Sequence, residues 1–287
     1  MVCRMIDGRF YAQKLCDDVK TRVVLLKQNH GVVAKLAILL IGDDPSSQIY
    51  VRLKRSKAEE LGIVVDVVRI GDEIEEKLLL DIIDELNNDD GVHGILVQLP
   101  LPLHISKNRV LNSISRKKDV DGLTSYNVGN LHYYNVSYFI PCTPQGIMML
   151  IKAALGEDIA GKRAVVLGRS IIVGKPVASL LLREDCTVMQ LHSQSLDIAS
   201  ETSRADILVV AVGNAYYVKE NYVKEGACVI DVGINKMSDG TIKGDVHPGV
   251  SRRAGYLSKV PGGVGPMTIA CLANNVVIAA YRSCGIK

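Results

Sequence analysis

The sequence contains no tryptophan and only two phenylalanines, against eleven tyrosines. Its core must therefore be aliphatic, and each tyrosine carries a hydroxyl that wants a partner when buried. The seven cysteines, at 3, 16, 142, 186, 228, 271 and 284, are odd in number and include no Cys-x-x-Cys pair. That spacing disfavours a disulfide framework and a zinc site. Reduced thiols in a cytosol are the simpler expectation, and no metal is expected. No apolar stretch approaches about 18 uninterrupted residues, so no membrane span is expected. The first residues, Met1-Val2-Cys3-Arg4-Met5-Ile6-Asp7, lack an apolar run of signal-peptide length. Met5 is an alternative start. A clustered basic stripe is missing too. The longest basic run, Arg116-Lys117-Lys118, reads as a solvated turn, and no nucleic-acid partner is expected.

What is present is an ordinary globular composition. Of 287 residues, 48% are hydrophobic and 23% charged, with 34 Lys+Arg against 31 Asp+Glu and a net charge of +3. That is enough apolar material for a sizeable core. At about 150 residues per domain, the length suggests two domains.

The first half reads as alternating helices and strands. Residues 9–30 are amphipathic, with Leu15, Val19, Val23 and Leu26 on one face and Gly31 to end the helix. The run Leu36-Ala37-Ile38-Leu39-Leu40-Ile41 is short and continuously apolar, as a strand buried on both faces should be. Asp43-Asp44-Pro45 turns the chain, and Ser46 or Ser47 can cap a helix running to about Leu61. Strands over 63–70 and 94–99 flank a helix over 74–86. That βαβαβ order predicts an open parallel sheet. Gln98 falls near the carboxyl end of the third strand, where such sheets bind ligands. A short helix fits 107–114, and 116–143 reads as irregular.

The second half repeats the pattern. Helices fit 145–155 and 174–183, and strands fit 164–167, 187–191, 207–212 and 227–232. A last apolar helix spans 268–283, with Ile269, Leu272, Val276 and Ala280 on its buried side. The domain boundary is expected near Pro141-Cys142-Thr143-Pro144.

Four segments could carry chemistry. In Gly168-Arg169-Ser170-Ile171-Ile172-Val173-Gly174-Lys175-Pro176, a strand precedes the glycine turn and a helix follows. Such a turn lets backbone N–H groups and a helix N-terminus approach a phosphate, although a plain βα turn is the alternative. No carboxylate stands at the end of the next strand before Asp197, and Arg169 could meet a 2′-phosphate; both favour NADP over NAD. Tyr50 and Lys54 lie one helical turn apart on one face, at the rim that also holds Gln98. A lysine in a partly desolvated position can exchange protons near neutral pH; a solvated helix face is the competing reading. Asp119 and Asp121 flank Val120, either as a turn pair or as a carboxylate that grips the N–H edge of a pterin or purine. Pro261-Gly262-Gly263-Val264-Gly265-Pro266 is a rigid loop that is either a tight connector or a wall against a flat ligand.

Together these segments resemble the bifunctional methylenetetrahydrofolate dehydrogenase/cyclohydrolase (FolD) family. The resemblance runs from Ile6-Asp7-Gly8 through Tyr50 to Lys54, Gln98-Leu99-Pro100-Leu101-Pro102 and Lys118 to Gly122. It continues through Pro141-Cys142-Thr143-Pro144, Gly168 to Pro176, Asp231-Val232-Gly233-Ile234-Asn235 and Pro261 to Thr268. It implies oxidation of 5,10-methylenetetrahydrofolate by NADP+, then hydrolysis of the methenyl product to 10-formyltetrahydrofolate. By resemblance, Lys54 is the acid/base of the hydrolysis and Gln98 sets its protonation. Tyr50 packs along the folate, Asp121 holds the pterin edge, and Leu99, Pro261 and Gly262 line the folate site. Gly168, Arg169, Ser170, Ser193 and Ile234 contact the dinucleotide. The implied fold is α/β, with two domains around a cleft. A folate-binding catalytic domain would cover 1–143, joined by a returning helix over 268–287, and a Rossmann-like NADP domain would cover 144–267. A homodimer built through the dinucleotide domain and a cytoplasmic location are also implied.

Two departures from the family pattern stand out. Gln194 and Ser195 occupy a segment that commonly holds a basic residue, which weakens the 2′-phosphate grip. Ser258-Lys259-Val260-Pro261 replaces the usual Thr-Pro-Val-Pro, which removes one rigid residue from the loop. A short-chain dehydrogenase is the enzymatic rival, but its Tyr-x-x-x-Lys pair follows the glycine turn, whereas here it precedes Gly168 by more than 100 residues. A catalytically silent folate- or NADP-binding protein is the rival of another class.

Overall fold

The computed structural model describes residues 2–133 and 139–286. In chain order the elements begin with β1 (Arg4–Ile6), α1 (Gly8–His30), β2 (Lys35–Ile41), α2 (Pro45–Glu60), β3 (Val64–Ile70), α3 (Glu76–Asn88) and β4 (Gly94–Val97). Next come α4 (Lys107–Ser113), α5 (Ser125–Asn130), α6 (Cys142–Leu155), β5 (Arg163–Leu167), α7 (Gly174–Arg183), β6 (Thr187–Leu191), α8 (Ile198–Thr202) and β7 (Ile207–Val210). The chain ends with β8 (Cys228–Asp231), β9 (Asn235–Lys236), β10 (Ile242–Lys243), β11 (Tyr256–Ser258) and α9 (Val264–Ser283).

The chain divides into two compact units. One comprises Gln13–Cys142 with Ile269–Lys287, and the other Met1–Ala12 with Thr143–Thr268. The last helix thus joins the first-half unit along most of its length. The first dozen residues differ from the expected 1–143 domain. They belong to the other unit because β1 pairs in parallel with β11, Ile6 opposite Ser258.

In the first-half unit, β2 is the central strand of a parallel sheet in the order β3-β2-β4. A strand bonded on both sides and covered on both faces must be apolar throughout. Leu36, Ala37, Ile38 and Leu39 are accordingly all fully buried. One side of the sheet packs on Leu79 and Ile83 of α3 and on Val110 and Leu111 of α4. The α2 cap differs from the serine expected. Asp44 accepts the N–H of Ser47 at 2.7 Å, leaving Ser47 inside the first turn. The 116–143 stretch expected to be irregular contains α5, capped by Thr124 through the N–H of Asn127. Part of that expectation, 134–138, lies outside the described residues.

Within this unit α9 brings a buried polar anchor. Asn275 donates to the carbonyls of Val120 at 2.8 Å and Ile140 at 3.3 Å. Val120 precedes Asp121 and Ile140 lies on the neighbouring segment against Gly122, so the helix fixes both by hydrogen bonds as well as by apolar burial. By length and mean hydropathy alone α9 could cross a membrane, but 67% of it is buried within the protein.

The second unit is a six-stranded sheet in the order β1-β11-β8-β7-β5-β6, parallel at every pairing. Its core is aliphatic, as the lack of Trp and Phe required. Val165, Leu167, Leu208, Val210 and Val229 form one cluster against Val218, Val223 and Val250. The carboxyl ends of β5, β6, β7 and β8 therefore lie along one edge of this sheet. There the chain turns through Gly168, through His192 to Ser195, through 211–214 and through 232–235.

Candidate active site

Lys54 sits in the third turn of α2 and reaches the end of β4. Its Nζ donates to Gln98 Oε1 at 3.0 Å. Gln98 is nearly buried, and its own N–H continues the sheet pairing by donating to Leu39 O at 2.9 Å. Its amide nitrogen donates to the carbonyl of Leu99 at 2.7 Å. These two bonds orient the side chain so that the oxygen faces the lysine. Leu99 precedes a cis peptide bond to Pro100, and its carbonyl also accepts from Ser47 Oγ at 3.4 Å. Tyr50 lies one turn before Lys54 on the same helix, half-buried, and burial raises its phenol above the ordinary value.

Asp121 belongs to the same group. Burial raises its carboxyl above the ordinary value; the nearby Lys54 cation opposes that rise, and the charge of Asp119 adds to it. The Cys142 thiol also hydrogen-bonds Asp121, and burial pushes this thiol well above its ordinary range. The thiol lies 3.3 Å from the carbonyl of Val120. Asp119 differs from its partner in the pair. It is buried, and its carboxylate accepts from Leu123 N at 3.1 Å, Thr124 N at 2.8 Å and Asn127 Nδ2 at 2.7 Å. One acid of the pair thus ties the turn while the other is left half-buried. The sequence showed two acids but not which did which. Asn127 and Asn275 carried no sequence signal beyond their polarity, and Cys142 stood out only as part of Pro141-Cys142-Thr143-Pro144.

The second group of candidates lies on the six-stranded sheet. Gly168 has φ +129°, and a Cβ there would come 2.3 Å from Ala211 O. A Cβ on Gly174 would come 2.2 Å from Gly168 O. Two glycines are therefore required for the turn to cross itself so closely. Ser170 Oγ accepts from the N–H groups of Val173 at 3.1 Å and Gly174 at 3.3 Å, which caps α7. Arg169 and Ser170 are exposed, as an arrangement for meeting a charged phosphate requires. At the end of β6, Ser195 Oγ accepts from His192 N at 3.0 Å and His192 Nδ1 accepts from Gln194 N at 3.2 Å. This folded turn leaves Ser193 and Gln194 exposed. Ile234, after β8, is 48% exposed, unusual for an isoleucine beside a buried strand. Such a side chain offers an apolar face to a ligand ring.

Pro261 and Gly262 also belong to this unit. Their loop is tethered to the N-terminal segment. Lys259 N donates to Ile6 O at 3.1 Å, Lys259 Nζ pairs with Asp7 at 2.5 Å, and Arg9 N donates to Gly262 O at 3.2 Å. The lysine that replaces a proline thus gains a backbone bond no proline could donate, so the loop is not left loose. Tyr50, Lys54, Gln98, Leu99 and Asp121 accordingly fall in one unit. Gly168, Arg169, Ser170, Ser193, Ile234, Pro261 and Gly262 fall in the other.

Residues 6–121 match the tetrahydrofolate dehydrogenase/cyclohydrolase catalytic domain, and residues 141–284 match the NAD(P)-binding domain of the same family. The chain is 49% identical over 284 residues to the bifunctional protein FolD of Ligilactobacillus salivarius, covering 99% of each. The crystal structure of the FolD enzyme of Campylobacter jejuni superposes with a TM-score of 0.95 at 44% identity, covering 98% of this chain and 99% of that one. The Trypanosoma brucei FolD structure, complexed with NADP cofactor and an inhibitor, gives a TM-score of 0.94 at 38% identity, covering 99% of each chain. The chain belongs to the tetrahydrofolate dehydrogenase/cyclohydrolase family.

Proposed function

We propose that the protein oxidises 5,10-methylenetetrahydrofolate with NADP+ to the methenyl form and hydrolyses that cation to 10-formyltetrahydrofolate. The observation that carries this reading is the Lys54–Gln98 hydrogen bond beside Asp121, a proton-carrying group with a fixed direction next to a half-buried carboxylate.

In the hydrolytic step, Lys54 Nζ takes a proton from the attacking water and returns one as the ring opens. Gln98 Oε1 holds that nitrogen in place, which is most of what such a proton shuttle needs from its surroundings. Asp121 accepts the N–H edge of the pterin, and Asp119 keeps the turn that presents it. Tyr50 lies along the folate, and Leu99 lines the same end of the catalytic unit. Alignment of two flat rings is the main demand of the redox step. When bound, the nicotinamide supplies the hydride acceptor. Gly168 and Ser170 would hold the turn beneath the dinucleotide phosphates, Arg169 and Ser193 would meet a 2′-phosphate, and Ile234 would contact the dinucleotide. The residues present fit that ligand. The Gly168–Gly174 crossing opens a close backbone approach, and no carboxylate stands after β6 before Asp197 to repel a 2′-phosphate.

The working form on this reading is a cytoplasmic homodimer joined through the dinucleotide unit. The folate domain is 1–143 with 268–287 and the NADP domain 144–267, less the N-terminal strand that pairs with β11.

The direct test is Lys54→Ala. It is expected to abolish hydrolysis of added methenyltetrahydrofolate while circular dichroism and folate binding persist. Hydrolysis at the wild-type rate would remove Lys54 from the mechanism.

A further inference from the structure

Beneath the carboxyl ends of β7 and β8 lie two carboxylates that the proposed reactions do not use. Asp245 is completely buried and Asp231 is 4% exposed. Neither has a cationic partner within salt-bridge distance among the described residues. Each is held by N–H donors instead. Asp245 Oδ2 accepts from Val212 N at 2.7 Å and Gly213 N at 2.9 Å. Its Oδ1 accepts from Asn214 N at 2.9 Å and Asn235 Nδ2 at 2.8 Å. Asp231 Oδ1 accepts from Gly233 N and Asp245 N, each at 2.9 Å, and Oδ2 from Val246 N at 3.0 Å.

The pattern of donors is what matters. Three consecutive N–H groups, 212–214, converge on one carboxylate at the end of β7. On the adjacent segment, Gly233 is bound to Asp231 and Asn235 to Asp245, so the residue between them, the exposed Ile234, is pinned on both sides. The fit allows no slack. A Cβ on Gly233 would come 2.3 Å from Asp245 Oδ1, and one on Gly244 would come 1.8 Å from Asp231 Oδ2. Burying two carboxylates near one another costs folding energy, which seven N–H donors here offset. Neutral amides could join two turns at lower cost, but one amide oxygen cannot accept from four donors at once.

We infer that Asp245 is a positioning residue for the dinucleotide, with Asp231 as its support: the carboxylate fixes 212–214 and 232–235 as one surface and sets the height of Ile234 on it. This inference rests on the proposed contact of Ile234 with the cofactor. Asp245 touches neither substrate nor cofactor. It acts through the backbone of one segment and the Asn235 side chain of the other.

The test compares three variants of the full-length protein by steady-state kinetics with NADP+ and 5,10-methylenetetrahydrofolate. Asp245→Asn keeps the size of the side chain but turns a donor toward two N–H groups. It is expected to raise the KM for NADP+ at least tenfold while the KM for the folate changes less than twofold. Asn235→Ala removes one of the four donors while the Asp245 carboxylate and its three backbone donors stay in place, and is expected to raise the KM for NADP+ three- to fivefold. It keeps the inference testable if Asp245→Asn does not fold. Ile234→Ala tests the underlying contact. If Ile234→Ala raises the KM for NADP+ but folded Asp245→Asn and Asn235→Ala do not, the positioning role is wrong and the contact stands. If Ile234→Ala leaves that KM unchanged, the contact itself is wrong and the inference falls with it. Equal rises in the KM for both substrates would mark a general structural defect and overturn the role as stated.

Discussion

Replacing Asp231 by asparagine should change how stability depends on pH, by an amount the structure sets. Burial is the main reason that the Asp231 carboxyl titrates at about 6 rather than the ordinary 3.8. Three backbone N–H bonds oppose the rise, and the charge of Asp245 adds to it. The folded state thus binds this proton more tightly than the unfolded state. Its contribution to stability is greatest below the unfolded value and is lost as pH rises towards and through about 6. One pKa unit corresponds to about 1.4 kcal/mol, so the full loss is roughly 3 kcal/mol. Asp231→Asn carries no charge at any of these pH values and is free of that loss. It gives up the bond to Val246 N, a constant penalty of about 1–3 kcal/mol that does not vary with pH. The carboxylates held below their ordinary range, such as Asp44 and Asp206, have the opposite dependence, but both proteins share them. At pH 4 a small part of that loss has already occurred, so the stability of the variant minus that of the wild type should rise by roughly 2.5 kcal/mol between pH 4 and pH 7.5. Urea titrations at four or five pH values measure this. They are best followed by far-ultraviolet circular dichroism, since the chain has no Trp. A difference curve that is flat with pH, or falls, would refute the reasoning.

Three other expectations follow from single sites. Gly168→Ala should raise the KM for NADP+ at least tenfold, because the added Cβ would meet Ala211 O at 2.3 Å in a backbone at φ +129°; titration of initial rates with NADP+ checks it. Because the Asp121 carboxyl is raised, the KM for the folate should begin to climb as pH falls while still above the ordinary carboxylate range, and Asp121→Asn should raise that KM and flatten its pH profile. Asn275→Leu removes the side-chain donor to the Ile140 carbonyl and leaves the Val120 carbonyl with the Cys142 thiol alone, and should lower stability by about 1–3 kcal/mol in thermal or urea unfolding.

Much of the architecture was legible because hydrophobic periodicity is strong here. The continuous apolar run at 36–41 could only be a strand covered on both faces, and it is the centre of its sheet. What stayed hidden depended on pairing between distant parts of the chain. Arg4–Ile6 is too short to show a period and becomes a strand only because β11 lies beside it. β9 and β10, two residues each, are likewise products of the turn that encloses Asp231 and Asp245. The α2 cap was misplaced by two or three residues because Asp44, Ser46 and Ser47 can all cap, and only the geometry chooses Asp44. At the site, position along the chain put Lys54 and Gln98 on one rim, and only the family resemblance paired them; the structure has the two side chains 3.0 Å apart. The separate duties of Asp119 and Asp121 were not readable from residue type, since both are aspartates in one turn; the resemblance singled out Asp121, and burial with three donors sets Asp119 apart.

The central claim is that this chain moves a hydride from a folate methylene group to NADP+. Its most direct test is to mix the purified protein with 5,10-methylenetetrahydrofolate and follow reduced cofactor, with NADP+ and NAD+ in parallel. The account predicts turnover with NADP+ well above that with NAD+. A folded protein that turns over with neither cofactor would contradict it.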